Sequence, residues 1–152
     1  MEHLELNDTM GLLLRDKGSE VWHVSPDASV YDAIAMMAEK KIGALLVMKE
    51  GELIGIISER DYARKVTLRG KTSKETLVRE IMSSPVIHVS PTNTVGECMG
   101  LMTEHRIRHI PVVEEAKVVG VLSIGDIVKW IISAQQETIT QLHGYITGRY
   151  PG

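Results

Sequence analysis

A mixed α/β (α+β) fold made of two pseudo-twofold-related β-α-β-β-α units, followed by a C-terminal helix, is predicted by three observations. Shifting the chain by 65 residues lays 21–66 on 86–131 without a gap, with roughly a quarter to a third of positions identical, which marks an internal repeat. In both copies the hydrophobic period changes in one order: extended, helical, two short β-branched runs, then helical again. Both copies also end their last strand on the same pattern. Gly55-Ile56-Ile57-Ser58-Glu59-Arg60-Asp61 and Gly120-Val121-Leu122-Ser123-Ile124-Gly125-Asp126 hold glycine, serine and aspartate in equivalent places.

The first element of each copy is a short extended piece, Glu20 to Val24 and Pro85 to Val89, reaching a Ser-Pro step where proline stops regular pairing. A helix follows. Its start is signalled by Ser29 with Asp32 and by Thr94 with Glu97, at the spacing of a capping box that satisfies orphan helix amides. Ile34, Met37 and Ala38, or Met99, Leu101 and Met102, supply its apolar stripe. Two strands come next, Gly43 to Met48 and Glu52 to Ile57, then His109 to Val113 and Lys117 to Leu122 in the second copy. These runs are too short and β-branched for helices. Past the Ser-x-x-Asp pattern the period returns to helical, over Asp61 to about Leu68 and Asp126 to about Ala134.

The expected organisation is a first domain over 10–68, a charged linker with a short helix over 69–80, a second domain over 81–134 and an amphipathic C-terminal helix over 135–150. Ile139, Leu142 and Ile146 give that last helix an apolar stripe. Units of about 50 residues leave an apolar sheet face open, so the two are expected to pair.

Composition narrows the function. A net charge of −3 across 152 residues offers no basic face for nucleic acid. MEHLELNDTM is acidic and polar where a secretory leader is cationic and then apolar, and no apolar run nears the length that spans a bilayer. The expectation is a soluble cytoplasmic protein without a membrane partner. Cys98 is the only cysteine; between Val95, Met99 and Met102 it reads as a buried structural thiol.

Ser58 with Asp61, and Ser123 with Asp126, are good N-cap pairs in their own right. Capping alone accounts for them at about 1 kcal/mol each. Three features point further. The motif sits where a strand feeds a helix, a place whose free amides and dipole attract phosphate. Arg60 puts a cation in a first helical turn, against the dipole, a choice that an anionic partner relieves. The copies also differ on entering the middle strand, Ile42-Gly43-Ala44 against Ile107-Arg108-His109, so pairing of the units brings Arg108 beside a cleft walled by apolar strand residues. A carboxylate for vicinal hydroxyls, a nearby hydroxyl, an arginine for phosphate and an aliphatic slot for a flat base together describe a nucleotide pocket.

These residues carry a resemblance. Gly-h-h-Ser-x-x-Asp twice, Ser-Pro before each first helix, Gly43-Ala44-Leu45 and Arg108-His109-Ile110-Pro111-Val112 resemble the CBS domain, and the chain resembles a stand-alone CBS pair, or Bateman module, over about residues 10–135. SERDYARKV, LMTEHRIRHIPVV and QLHGYITGRY are similar to small bacterial CBS-pair proteins and plant organellar relatives, some of them linked to adenylate-responsive control of thioredoxin. The resemblance implies adenosine ligands (AMP, ADP, ATP or NAD) in two clefts between the copies, with no obligatory cofactor. It implies that Asp61 and Asp126 hold ribose hydroxyls, Ser58 and Ser123 assist them, and Arg108 with its neighbour His109 reaches phosphate. Arg60 would approach the phosphate of the ligand held by Asp126. Ile56, Ile87 and Ile107 would line the base at the Asp61 site, and Val121, Trp22 and Ile42 at the other. Gly43, where the family often has a basic residue, and Gly125 opposite Arg60 depart from the pattern and make the phosphate ends unequal.

The other chemistries are not suggested. Among six histidines only His105 and His109 are closely spaced, across a helix-to-strand break, so no metal site is expected. No nucleophile elbow, P-loop or dinucleotide fingerprint is present, and the chain is not expected to be an enzyme. Two functions remain: a regulatory sensor of adenine nucleotide, homodimeric and signalling to an unidentified partner in trans, with thioredoxin a candidate by resemblance only; or a nucleotide-independent dimerisation and interaction module.

Overall fold

The structure, a computed structural model, describes residues 4–18 and 20–146, with side chains over 6–18 and 20–136. It divides into two compact units. One spans Glu20–Ile87; the other joins the N-terminal segment to the chain from His88 onward.

The chain opens with α1 (Leu4–Asn7) and α2 (Met10–Lys17), the latter capped by Thr9, whose hydroxyl accepts from the Leu12 amide, and ended by Gly18 at φ 100°. In the Glu20–Ile87 unit, β1 (His23–Val24) lies parallel to β2 (Ala44–Lys49), and β2 pairs antiparallel with β3 (Glu52–Ser58). Between β1 and β2 runs α3 (Val30–Lys40), started by the Ser29 hydroxyl accepting from the Asp32 amide at 3.1 Å. Glu50 and Gly51, at φ 52° and 81°, make the left-handed pair that a tight hairpin needs. After β3 come α4 (Glu59–Lys65), a 3₁₀ turn (Thr67–Arg69) and α5 (Val78–Ile81). Val30, Ala33 and Met37 of α3 pack against Leu45, Val47 and Ile57 of the sheet, closed by Val66, Val78 and Ile81.

The other unit repeats the plan. α6 (Val95–His105) is started by a complete capping box of Thr94 and Glu97. β4 (His109–Glu114) and β5 (Lys117–Ser123) form an antiparallel hairpin, and α7 (Ile124–Ile146) follows. The repeat persists in backbone detail. Lys41 and Arg106 end their helices in the left-handed conformation, and the ladders shift register at Val47/Met48 and Val112/Val113.

Several expectations change. The extended piece Pro85–Val89 narrows to a single parallel bridge, Val89 to Val112. The helix expected at Asp61–Leu68 starts at Glu59, because Ser58 is the cap, and yields to the 3₁₀ turn after Lys65. The stretch 69–80 is more than a spacer, since Thr76 and Val78 are buried and the Val30 and Val78 amides bond to the Thr76 and Ala28 carbonyls. The two helices expected over Asp126–Ala134 and 135–150 are one, α7, over its described length to Ile146. Ala134, Gln135, Gln136 and Glu137 are good helix formers with no glycine or proline to interrupt them. The side chains of Ile139, Leu142 and Ile146 lie outside the described residues.

The segment 10–18, expected in the first domain, belongs to the unit that begins at His88. Met10 and Leu13 are buried there, and the Met10 and Gly11 amides donate to the Asn93 and Pro91 carbonyls at 2.8 and 2.9 Å. This docking gives the motif glycine of β5 a role. A Cβ on Gly120 would stand 2.4 Å from Leu14 Cδ2, and one on Gly55 would stand 2.5 Å from Met82 Sδ, so each glycine admits a neighbour that a larger residue would displace.

Candidate functional site

In each unit the last strand delivers its serine straight into the following helix, and the carboxylate three residues on folds back. The Ser58 amide and hydroxyl donate to Asp61 Oδ2 at 2.9 and 3.0 Å, while the Ser58 hydroxyl accepts from the Asp61 amide at 3.2 Å. Ser123 and Asp126 reproduce this at 2.8, 3.0 and 3.1 Å. The capping expectation is therefore met at both positions. It occupies one carboxylate oxygen of each aspartate and leaves Oδ1 for other partners.

Those partners differ. Lys65, one turn along α4, reaches Asp61 Oδ1 at 3.1 Å and also donates to the Ile81 carbonyl at 2.9 Å. At Asp126 the ammonium comes from the N-terminal helix. Lys17 Nζ lies 2.7 Å from Asp126 Oδ2 and 2.7 Å from the Val121 carbonyl oxygen, and Asp126 Oδ1 makes no hydrogen bond among the described residues. Sequence reasoning missed both lysines. The spacing of Lys65 from Asp61 was a readable signal; nothing in the sequence ties Lys17 to a residue 109 positions away.

A main-chain link places the other predicted residues. The Ile124 amide donates to the Arg108 carbonyl at 2.8 Å, and the Glu59 amide to that of Gly43 at 3.1 Å, pinning the entry of the middle strand beside the motif in both units. His109 stands opposite Ser123 in the ladder, as Ala44 stands opposite Ser58. Ser123, Asp126, Arg108, His109, Ile107 and Val121 thus belong to one unit, with Arg108 exposed and Ile107 and Val121 half-buried. Ser58, Arg60, Asp61, Ile42, Gly43, Ile56, Trp22 and Ile87 belong to the other. Arg60 is half-buried in the first turn of α4. Ile42 and Trp22 lean on their own unit's core, and the Lys40 ammonium sits 4.2 Å from the Trp22 ring centre, which favours the packing role of that tryptophan over an open base platform. Ile56 is tied through both its amide and carbonyl to Ser83.

The electrostatics centre on the Asp126 end. Burial pushes the Asp126 carboxyl up, but the Lys17 hydrogen bond and the Ser123 amide and hydroxyl together hold it below the ordinary carboxylate range. Burial lowers the His109 pKa, Lys17 and Arg108 lower it further, and Asp126 opposes them. Since His109 takes up its proton less readily folded than unfolded, its stability contribution is present above the unfolded value and lost as pH falls below about 6.5. Thermal melts are expected to decline from pH 7 towards pH 5, with His109→Gln flattening that decline. A wild-type curve flat over this range would count against the burial of a neutral imidazole. Burial likewise raises the Cys98 thiol to about 11, as suits a structural cysteine.

A cavity of about 480 Å³ adjoins this end, lined in part by Lys17, Leu122, Asp126, Lys129 and Trp130. Among the described residues no group of three or more His, Cys, Asp or Glu side chains is placed to hold a metal ion, and no helix is long and apolar enough to cross a membrane.

Two copies of one sheet-and-helix unit, each with a serine-aspartate clasp where its last strand meets the following helix, define a tandem-repeat module. The chain belongs to the CBS domain family, whose profile matches residues 18–67 and 78–133. It is 44% identical over 138 residues to the mitochondrial CBS domain-containing protein CBSX3 of Arabidopsis thaliana, covering 88% of this chain and 66% of that protein, so it spans just under two thirds of this relative. It is 31% identical over 109 residues to the CBS domain-containing protein YhcV of Bacillus subtilis, covering 72% of this chain and 77% of that one. Among solved structures, a CBS-domain chain from Burkholderia ambifaria MC40-6 superposes with TM-score 0.81 at 49% identity, covering 84% of this chain and 96% of its own. A hexameric CBS-CP12 protein from bloom-forming cyanobacteria superposes with TM-score 0.72 at 31% identity, covering 79% and 69%. Paired CBS domains are generally regulatory modules for adenosine ligands.

Proposed function

We propose that this protein is a regulatory module that binds an adenine nucleotide, AMP, ADP, ATP or NAD, and signals its level to a partner protein. The observation that carries this reading is the geometry of the Asp126 carboxylate: it is aligned by the Ser123 amide and hydroxyl through Oδ2, and its Oδ1 takes no donor among the described residues. An oriented carboxylate with a free oxygen suits a ribose diol. Arg108, tied by its carbonyl to the start of α7, supplies the cation for phosphate. Two charge-assisted bonds from the diol and one from an arginine, at about 1.5 to 3 kcal/mol each, reach the roughly 8 kcal/mol of micromolar affinity.

Each aspartate meets one lysine: Lys65 engages Asp61 Oδ1, whereas Lys17 engages Asp126 Oδ2 and leaves Oδ1 without a donor among the described residues, so the diol is assigned to the Asp126 end. Association of chains fits α7, where Val128 and Ile132, one turn apart, are 45% and 47% exposed; the hexameric cyanobacterial relative is itself an oligomer. The partner in trans is a protein, with thioredoxin a candidate by family resemblance alone.

The test is calorimetric titration of the dialysed full chain with AMP, ATP and NAD. Saturable binding near the micromolar range by at least one of them is expected. Absence of heat and of any melting-temperature shift with all three would leave the clasps as helix caps and the protein as an interaction module.

A further inference from the structure

The two clasps carry the same kind of counter-ion from different sources. Lys65 follows Asp61 by four residues; the equivalent position after Asp126 is Trp130, which cannot supply a cation. Trp130 instead donates its indole N–H to Asp8 Oδ2 at 2.7 Å, fastening the chain just ahead of α2. The far end of α2 then delivers Lys17 to Asp126 and the Val121 carbonyl. Its anchored end is firm, with Met10 and Leu13 buried and the Met10 and Gly11 amides bonded across to Asn93 and Pro91. Its lysine end is loose: the Lys17 side chain is 40% exposed, and the helix stops there at Gly18.

We propose that Lys17 is an intramolecular competitor for the Asp126 carboxylate, and that nucleotide binding displaces it, which makes the last turn of α2 the element that responds to ligand. This rests on the ribose-binding reading of Asp126. The ammonium holds Oδ2, the oxygen on which the second hydroxyl of a diol seated at Oδ1 would close, and also a carbonyl of the strand expected to line the base, so diol and lysine contend for the same edge of the carboxylate. Release needs only the final turn to move, since the hydrogen bonds holding α2 lie at its other end. The Asp61 end has no comparable device: its lysine rides on the same helix as its aspartate and cannot leave with an independent element.

The experiment titrates AMP and ATP into the full chain by calorimetry, comparing wild type, Lys17→Met and Lys17→Arg, with Asp126→Ala marking which binding belongs to this site. A half-exposed ion pair sets the scale, so Lys17→Met is expected to tighten the Asp126-dependent site about two- to fivefold, with Lys17→Arg close to wild type. Amide exchange at Arg15 to Gly18 should quicken when nucleotide saturates the wild type. Unchanged or weaker binding by Lys17→Met, or slower exchange in that turn, overturns the competitor and makes Lys17 a bystander or a phosphate contact while the nucleotide reading stands. No binding by any of the three chains overturns both.

Discussion

Asp126→Ala is expected to weaken nucleotide binding by at least about a hundredfold while the protein stays folded. Two diol bonds to a charged acceptor, at about 1.5 to 3 kcal/mol each, disappear together. Stability loses much less. The Ser123 amide and hydroxyl lose their acceptor, a cap worth about 1 to 2 kcal/mol, and the Lys17 pair adds little because it is partly solvated. For a chain of this length that lowers the melting temperature by about 3 to 6 °C. Asp126→Asn sharpens the contrast, since its amide oxygen still accepts from Ser123 while the negative charge is gone. It should melt close to wild type and bind weakly. Calorimetry alongside thermal melts reads both quantities, and wild-type affinity in Asp126→Ala would leave capping as the aspartate's whole role.

Leu122→Ala is expected to do the reverse. Leu122 is fully buried immediately before the clasp serine, as Ile57 is in the other unit. Removing a buried leucine side chain costs about 2 to 5 kcal/mol, the transfer loss plus the cavity left behind, which is a large share of the 5 to 15 kcal/mol typical of a whole protein. The melting temperature should fall by about 5 to 15 °C. Below that temperature nucleotide affinity should remain within a few fold of wild type, because the carboxylate, its serine and Arg108 are untouched. A loss under about 1 kcal/mol would mean that β5 is not held by this side chain.

Much of the site was legible because it is built from contacts three residues long. A serine three positions before an aspartate, at the end of a β-branched run, can cap only in one way, and both copies do so with distances within about 0.1 Å of each other. Trp22 shows the opposite case. The family resemblance set it against a base, and only the position of Lys40 over its ring shows how its own unit uses it. Val128 and Ile132 are similar, ordinary apolar positions whose exposure depends on what α7 packs against.

The amino-acid sequence by itself determined the repeat, the starts of α3 and α6, the hairpins and the serine-aspartate clasps, since each follows from hydrogen bonds and apolar spacing within a few residues. Tertiary structure alone decided which unit takes the N-terminal helix, why Gly120 must be small, and that Lys17 faces Asp126. Those outcomes depend on which apolar surfaces find each other across a hundred residues of chain, a choice made by shape and burial over the whole unit that no local pattern records.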